Sequence, residues 1–118
     1  MKQYKRDIKV WAQEFAVSIV KLSIKLKAVG VDYALRDQLL RSGTSIGANV
    51  REAKASSSRK ELIRFYEIAL RSCDETQYWM DVIREGYSLS NELFSDLSSE
   101  LKEITRVIAR IILNLKAN

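Results

Sequence analysis

The sequence predicts an all-α protein, an antiparallel up-down-up-down bundle of four helices. Three observations carry that reading. Apolar residues recur at alternating spacings of three and four over most of the chain, the signature of a helical face. There is no proline among the 118 residues and there are only four glycines, so little interrupts long helices. The segments between the periodic stretches are short, and short turns make successive helices antiparallel neighbours. The length fits one domain, residues 1–118, with material for a modest core.

The first helix is expected over about residues 5–28. Ile8, Phe15, Leu22 and Val29 repeat every seven residues with Ile19 and Leu26 between them, and Trp11 flanks this seam. A second row, Val10, Val17 and Ile24, lies to one side. It either widens the core face or meets another subunit. Gly30 supplies the stop. Asp32 is the expected cap of a second helix over about 33–56, which carries Asp37 and Arg41 as an i,i+4 ion pair.

The centre of that helix is the unusual stretch of the chain. Gly43 and Gly47 each cost about 1 kcal/mol relative to alanine in a helix interior. Ser42, Thr44, Ser45 and Asn49 compete for backbone hydrogen bonds. Yet Leu35, Leu39, Ile46, Val50 and Ala53 keep to one face. A helix holding such residues needs their small size, so Gly43, Ser45, Gly47 and Asn49 are assigned to close packing against a neighbouring helix or subunit. Asn49 and Glu52 are read as helix contacts rather than catalytic groups.

Ser58 followed by Glu61 is a capping box opening a third helix over about 59–85. Its inward residues are Leu62, Phe65, Ala69, Cys73, Thr76, Met80 and Ile83, and Gly86 ends it. Leu89 before Ser90, with Phe94 beyond, forms a hydrophobic staple for the fourth helix. There Phe94, Leu97, Leu101, Ile104, Ile108, Ile111 and Leu115 give the cleanest pattern in the chain.

Composition narrows the chemistry. The chain has no histidine, which removes the commonest general base and metal ligand and rules out the Glu-x-x-His pairs of di-iron bundles. Gly43 and Gly47 are not followed by the lysine of a phosphate-binding loop. The single cysteine, Cys73, falls on an inward face and reads as structural. No catalytic residue, metal or cofactor is expected. With one cysteine, no signal-peptide core and no apolar run of about 18 residues, a cytoplasmic protein without a membrane partner is expected.

The net charge is +5, and the bundle topology sorts it by end. Residues 1–12, 48–66 and 106–118 share one end and hold twelve bases against three acids, a net of +9. Residues 24–38 and 78–100 share the other and hold four bases against seven acids, a net of −3. A basic end attracts phosphate backbones through counterion release without reading sequence. Arg51, Lys54, Arg59, Lys60 and Arg64 are the expected nucleic-acid contacts, supported by Lys5, Arg6, Arg106 and Arg110. The alternative is a protein-interaction scaffold in which charge orients subunits.

Two segments carry a resemblance. Leu39-Leu40-Arg41-Ser42-Gly43-Thr44-Ser45-Ile46-Gly47-Ala48-Asn49-Val50-Arg51-Glu52-Ala53 resembles the signature of the four-helix bundle proteins encoded in intervening sequences of bacterial 23S ribosomal RNA genes. Phe65-Tyr66-Glu67-Ile68-Ala69-Leu70 and Asp74-Glu75-Thr76-Gln77-Tyr78-Trp79 resemble that family's third helix. The likeness spans about residues 8–112. Two departures are Val29-Gly30, where many members have Phe-Pro, and Glu52-Ala53, where many have Glu-Gly. The resemblance implies a homopentamer. It also implies likeness to the accessory protein of diversity-generating retroelements, which works with RNA and a reverse transcriptase. By that analogy, the basic ends form a ring for RNA or a reverse transcriptase-like nucleoprotein.

Overall fold

A computed structural model describes residues 7–117, and these form α1 (Ile8–Ala28), α2 (Tyr33–Ala55), α3 (Arg59–Gly86) and α4 (Glu92–Ala117). No strand occurs among the described residues. Each helix packs on its two neighbours in a square, α1 on α2 and α4, α3 on α2 and α4. Contacts between opposite chain positions give the antiparallel order. Lys54 near the end of α2 reaches Asp7 at the start of α1, and Arg59 at the start of α3 reaches Leu115 near the end of α4. Among the described residues, no helix is long and apolar enough to cross a membrane.

The helix ends follow local chemistry. Asp7 stands in extended backbone and its carboxylate accepts from the Lys9 N–H at 2.9 Å, so α1 begins at Ile8. The expected start near residue 5 falls outside the described residues. α1 stops in a Schellman turn: the Val31 N–H bonds to the Leu26 carbonyl, the Gly30 N–H to that of Lys27, and Gly30 takes φ +89°. Val31 and Leu26 are both buried, which supplies the hydrophobic contact of that motif. Val29, expected in the seam, is exposed because the helix has already ended.

Asp32 occupies the capping position of α2 but its side chain makes no capping bond. Its N–H instead donates to the Tyr87 hydroxyl at 3.0 Å, tying the first turn to the end of α3. Ser58 caps α3 by accepting from the Glu61 N–H, and Ser90 accepts from the Glu92 N–H at the start of α4. Leu89 and Phe94 both pack on the core.

Gly86 is the last residue of α3 rather than the stop itself. The left-handed position is Ser88, at φ 53°, with the Leu89 N–H on the Arg84 carbonyl. A side chain there is strained, and glycine is not. Ser88→Gly is therefore expected to stabilise the protein by about 0.5–1 kcal/mol, after the greater chain entropy of glycine is deducted. Thermal unfolding of the two proteins under one condition checks this; an unchanged or lower midpoint would contradict it.

The core runs through all four helices, with Trp11, Phe15, Ile19, Leu39, Ile46, Met80, Ile83, Phe94, Ile104 and Ile108 almost wholly buried. Two residues beside the heptad seams are buried as well, Trp11 as its aromatic bulk leads one to expect and Tyr66 beyond the expected inward row. Trp11 is 1% exposed, and its indole N–H donates to Glu100 on α4 at 2.7 Å. Tyr66 is buried at 4% beside half-buried Phe65. Leu35, Leu62, Leu97, Ile111 and Leu115 pack at the core's edge.

The small-residue segment lets α2 serve both neighbours. A β-carbon on Gly43 would stand 2.8 Å from Ile19, and one on Gly47 3.3 Å from the Ala12 carbonyl oxygen, so both glycines face α1. The polar residues do not break the helix, because they bond back along it: Ser42 to the Gln38 carbonyl, Thr44 to Leu40, Asn49 to Ser45. The Ser45 hydroxyl also meets that of Ser72 on α3 at 2.9 Å and accepts from the Asn49 amide.

Candidate nucleic-acid interface

The antiparallel order gathers the start of α1, the end of α2, the start of α3 and the end of α4. Every expected basic residue in the described part is exposed or half-buried at the surface, and they divide by what they touch. Three are held within the bundle. Arg51 donates to the Gln13 side chain at 2.9 Å, Lys54 lies 3.6 Å from the Asp7 carboxylate, and Arg59 donates to the Leu115 carbonyl at 3.0 Å. The last contact places a cation at the negative end of α4. Lys60, Arg64, Arg106 and Arg110 make no hydrogen bond or ion pair among the described residues. Lys5 and Arg6 lie outside the described residues.

The described charged groups at this end are exposed. The Asp7 carboxyl is held below its usual range, first by the Lys9 N–H and then by nearby Lys54 and Lys9. Lys116 pairs with Glu67 at 2.9 Å across α3 and α4. Arg106 and Arg110 are four residues apart on one face of α4. Arg106 stands roughly 14 Å along the helix from Leu115, so it belongs to the flank rather than the rim. It borders a groove between α3 and α4 together with Leu70, Cys73 and Thr105.

The thiol beside this groove is not prepared for covalent chemistry. Cys73 is buried, and burial pushes its thiol up to about 11, against a small opposing effect of its bond with Thr105. The sign follows directly. The fold favours the neutral thiol, so the stability this provides is full below the ordinary value of 9.0 and is lost as pH rises towards 11. Cys73 is expected to react with iodoacetamide at pH 8 at least about a hundredfold more slowly in the native protein than in denaturant, because thiolate is the nucleophile. Equal rates would show an accessible thiol. Among the described residues, no three His, Cys, Asp or Glu side chains gather as a metal site.

Sequence reasoning missed a second concavity. Between α2 and α3 lies a groove of about 520 Å³ bordered by Gln38, Arg41, Ser45, Glu75, Tyr78 and Trp79. Tyr78 is largely exposed and meets Trp79 edge to face, with ring centres 5.0 Å apart. Arg41 is held by Asp37 at 2.9 Å. The signal was present in the sequence: the stretches 39–53 and 74–79 converge here.

With this geometry in hand, the comparisons decide the family. The model of the 23S rRNA-intervening sequence protein family matches residues 6–110. The chain belongs to this family. A solved structure of a Bacteroides thetaiotaomicron protein of unknown function from the S23 ribosomal protein family is 36% identical, with a TM-score of 0.85. The match covers 90% of this chain and 98% of that one. The search of curated proteins gave no match. The family match reaches into all four helices and takes in both motif stretches.

Proposed function

We propose that the protein is a non-enzymatic, cytoplasmic, homo-oligomeric module that binds RNA or an RNA–protein complex through its basic end. The observation that carries the reading is the concentration of bases there. Among the described residues of that end, nine bases stand against three acids, and Lys60, Arg64 and Arg110 are uncommitted. Each is free to take a phosphate without first leaving a partner. The family's description, which ties it to 23S rRNA intervening sequences, supports RNA over DNA. By family resemblance the assembly is a pentamer.

Electrostatic binding of this type is tested by its salt dependence. The slope of log affinity against log salt for a single-stranded RNA is expected near −0.7 per phosphate neutralised. A flat slope, or no binding at low salt, overturns the reading.

A second reading, a protein scaffold without nucleic acid, is favoured by one observation. Val10, Val17 and Ile24 are 50%, 48% and 65% exposed, so this row is not part of the core. An exposed apolar row fits a protein partner. The two readings meet if the row serves self-association and the basic end serves RNA.

A further inference from the structure

α1 is apolar on two opposite faces. Trp11, Phe15, Ile19, Leu22 and Leu26 point into the bundle. Val10, Val17, Val20 and Ile24 are exposed and fall within an arc of about 80° on the far side. Lysines flank this stripe, Lys9 and Lys27 along one border and Lys21 and Lys25 along the other, and Glu14 is the sole acid of the helix. A helix apolar on both sides is built to be covered on both. The flanking lysines argue against pairing with a second α1, because lysine would meet lysine.

The groove between α2 and α3 has the complementary character. Tyr78 and Trp79 form an apolar wall, and Glu75 has no ion pair among the described residues. Arg41 is neutralised by Asp37. Towards the same end of the bundle stand Asp32, Asp81 and Glu85, with Arg84 already held by the last two. The groove cannot be filled by the molecule's own α1, whose stripe faces away from the core.

We infer that the α1 stripe of one copy seats in the α2–α3 groove of a second copy. This rests on the self-association proposed above and names the two surfaces. Heights along the bundle fit. Counted from the acidic end at about 1.5 Å per residue, Ile24, Val20 and Val17 stand roughly 6, 12 and 17 Å up α1. Trp79, Tyr78 and Glu75 stand roughly 11, 12 and 17 Å up α3. The match holds only when both molecules point the same way. It sets Lys21, roughly 11 Å up, level with Trp79 and Tyr78, and Lys25, roughly 5 Å up, between the heights of Asp81 and Glu85, roughly 8 and 2 Å up. The contact is head-to-tail, because the two surfaces differ, and repetition by rotation closes a ring. All basic ends then lie on one rim, where the phosphate-binding charge of each copy adds to that of its neighbours.

The test uses two exposed-face variants of the full chain, without RNA. Val17→Lys/Ile24→Lys spoils the stripe, and Glu75→Lys/Tyr78→Lys spoils the groove. Both retain the helical circular-dichroism signal, since all four side chains lie outside the core. In sedimentation at fixed concentration, the wild type is expected to be oligomeric and each variant monomeric. Mixing the two variants is expected to give a one-to-one dimer, because one intact stripe and one intact groove remain. The added lysines prevent the spoiled faces from pairing. A mixture that stays monomeric overturns the pairing of these surfaces. So do variants that stay oligomeric, which would leave self-association standing through another face. A monomeric wild type overturns both the pairing and the self-association.

Discussion

Gly47→Leu is expected to destabilise the protein by about 3 kcal/mol, at the upper end of the cost of overpacking. A β-carbon at position 47 already stands 3.3 Å from the Ala12 carbonyl oxygen and 3.4 Å from its carbonyl carbon. Those are backbone atoms of a helix, and they cannot rotate aside. Three further carbons of leucine must push α1 from α2 or leave their rotamer. Either change loosens the contact that also buries Phe15, Ile19 and Ile46. For a domain of this size the midpoint of unfolding should fall by roughly 10 °C. Gly47→Ala provides the contrast. It gains about 1 kcal/mol of helix propensity and meets one tight contact, so its net effect should be small. Thermal unfolding of both variants separates a steric requirement from a propensity effect. A leucine variant as stable as the alanine one would show that α1 and α2 do not depend on this approach. Gly43 differs in kind: its added carbon would meet the Ile19 side chain, which can shift, though only within a filled core.

The helices were legible because their causes are local. Gly30 and Ser58 act within a turn of the residues they stop or cap, and the three-four apolar rhythm is a property of each helix alone. Most of what eluded sequence reasoning depends on two helices at once. Trp11 reads as a core residue flanking the heptad seam, and what the sequence does not show is that its indole reaches Glu100 on α4. Tyr66 is one step off the expected row, yet α3 packs on both α2 and α4, which widens its buried face. Asp32 had the right residue type for a cap, and the Tyr87 hydroxyl reaching its backbone could not be read from the sequence. Ser88 was overlooked because Gly86, two residues earlier, looked like the natural stop. The basic end behaves the same way. Its position follows from topology and so was visible, whereas the division between engaged and open cations was not. Arg59 and Lys60 are adjacent in sequence, and only Arg59 reaches a carbonyl of α4.

That division determines how the RNA-binding reading should be challenged. Reversing Arg59 would remove a cation from the negative end of α4 and put a carboxylate near the Leu115 carbonyl, so a loss of binding could reflect a damaged bundle end. Lys60→Glu/Arg64→Glu/Arg110→Glu avoids this, because none of the three carries an internal contact among the described residues. Two of the new acids also fall within the first two turns of α3, where the helix dipole favours negative charge. Stability and helical content should therefore stay near those of the wild type. RNA affinity at low salt is expected to fall about a hundredfold, since three attractions become repulsions. The salt slope should flatten by about two units, an increment of roughly 0.7 for each phosphate that is no longer neutralised. These two readouts must move together. Weaker binding with an unchanged slope would place the phosphate-binding groups elsewhere and trace the loss to another cause. Full binding in a folded triple variant would remove the basic end from RNA recognition and leave the scaffold reading, with its exposed α1 face, as the better account of the charge asymmetry.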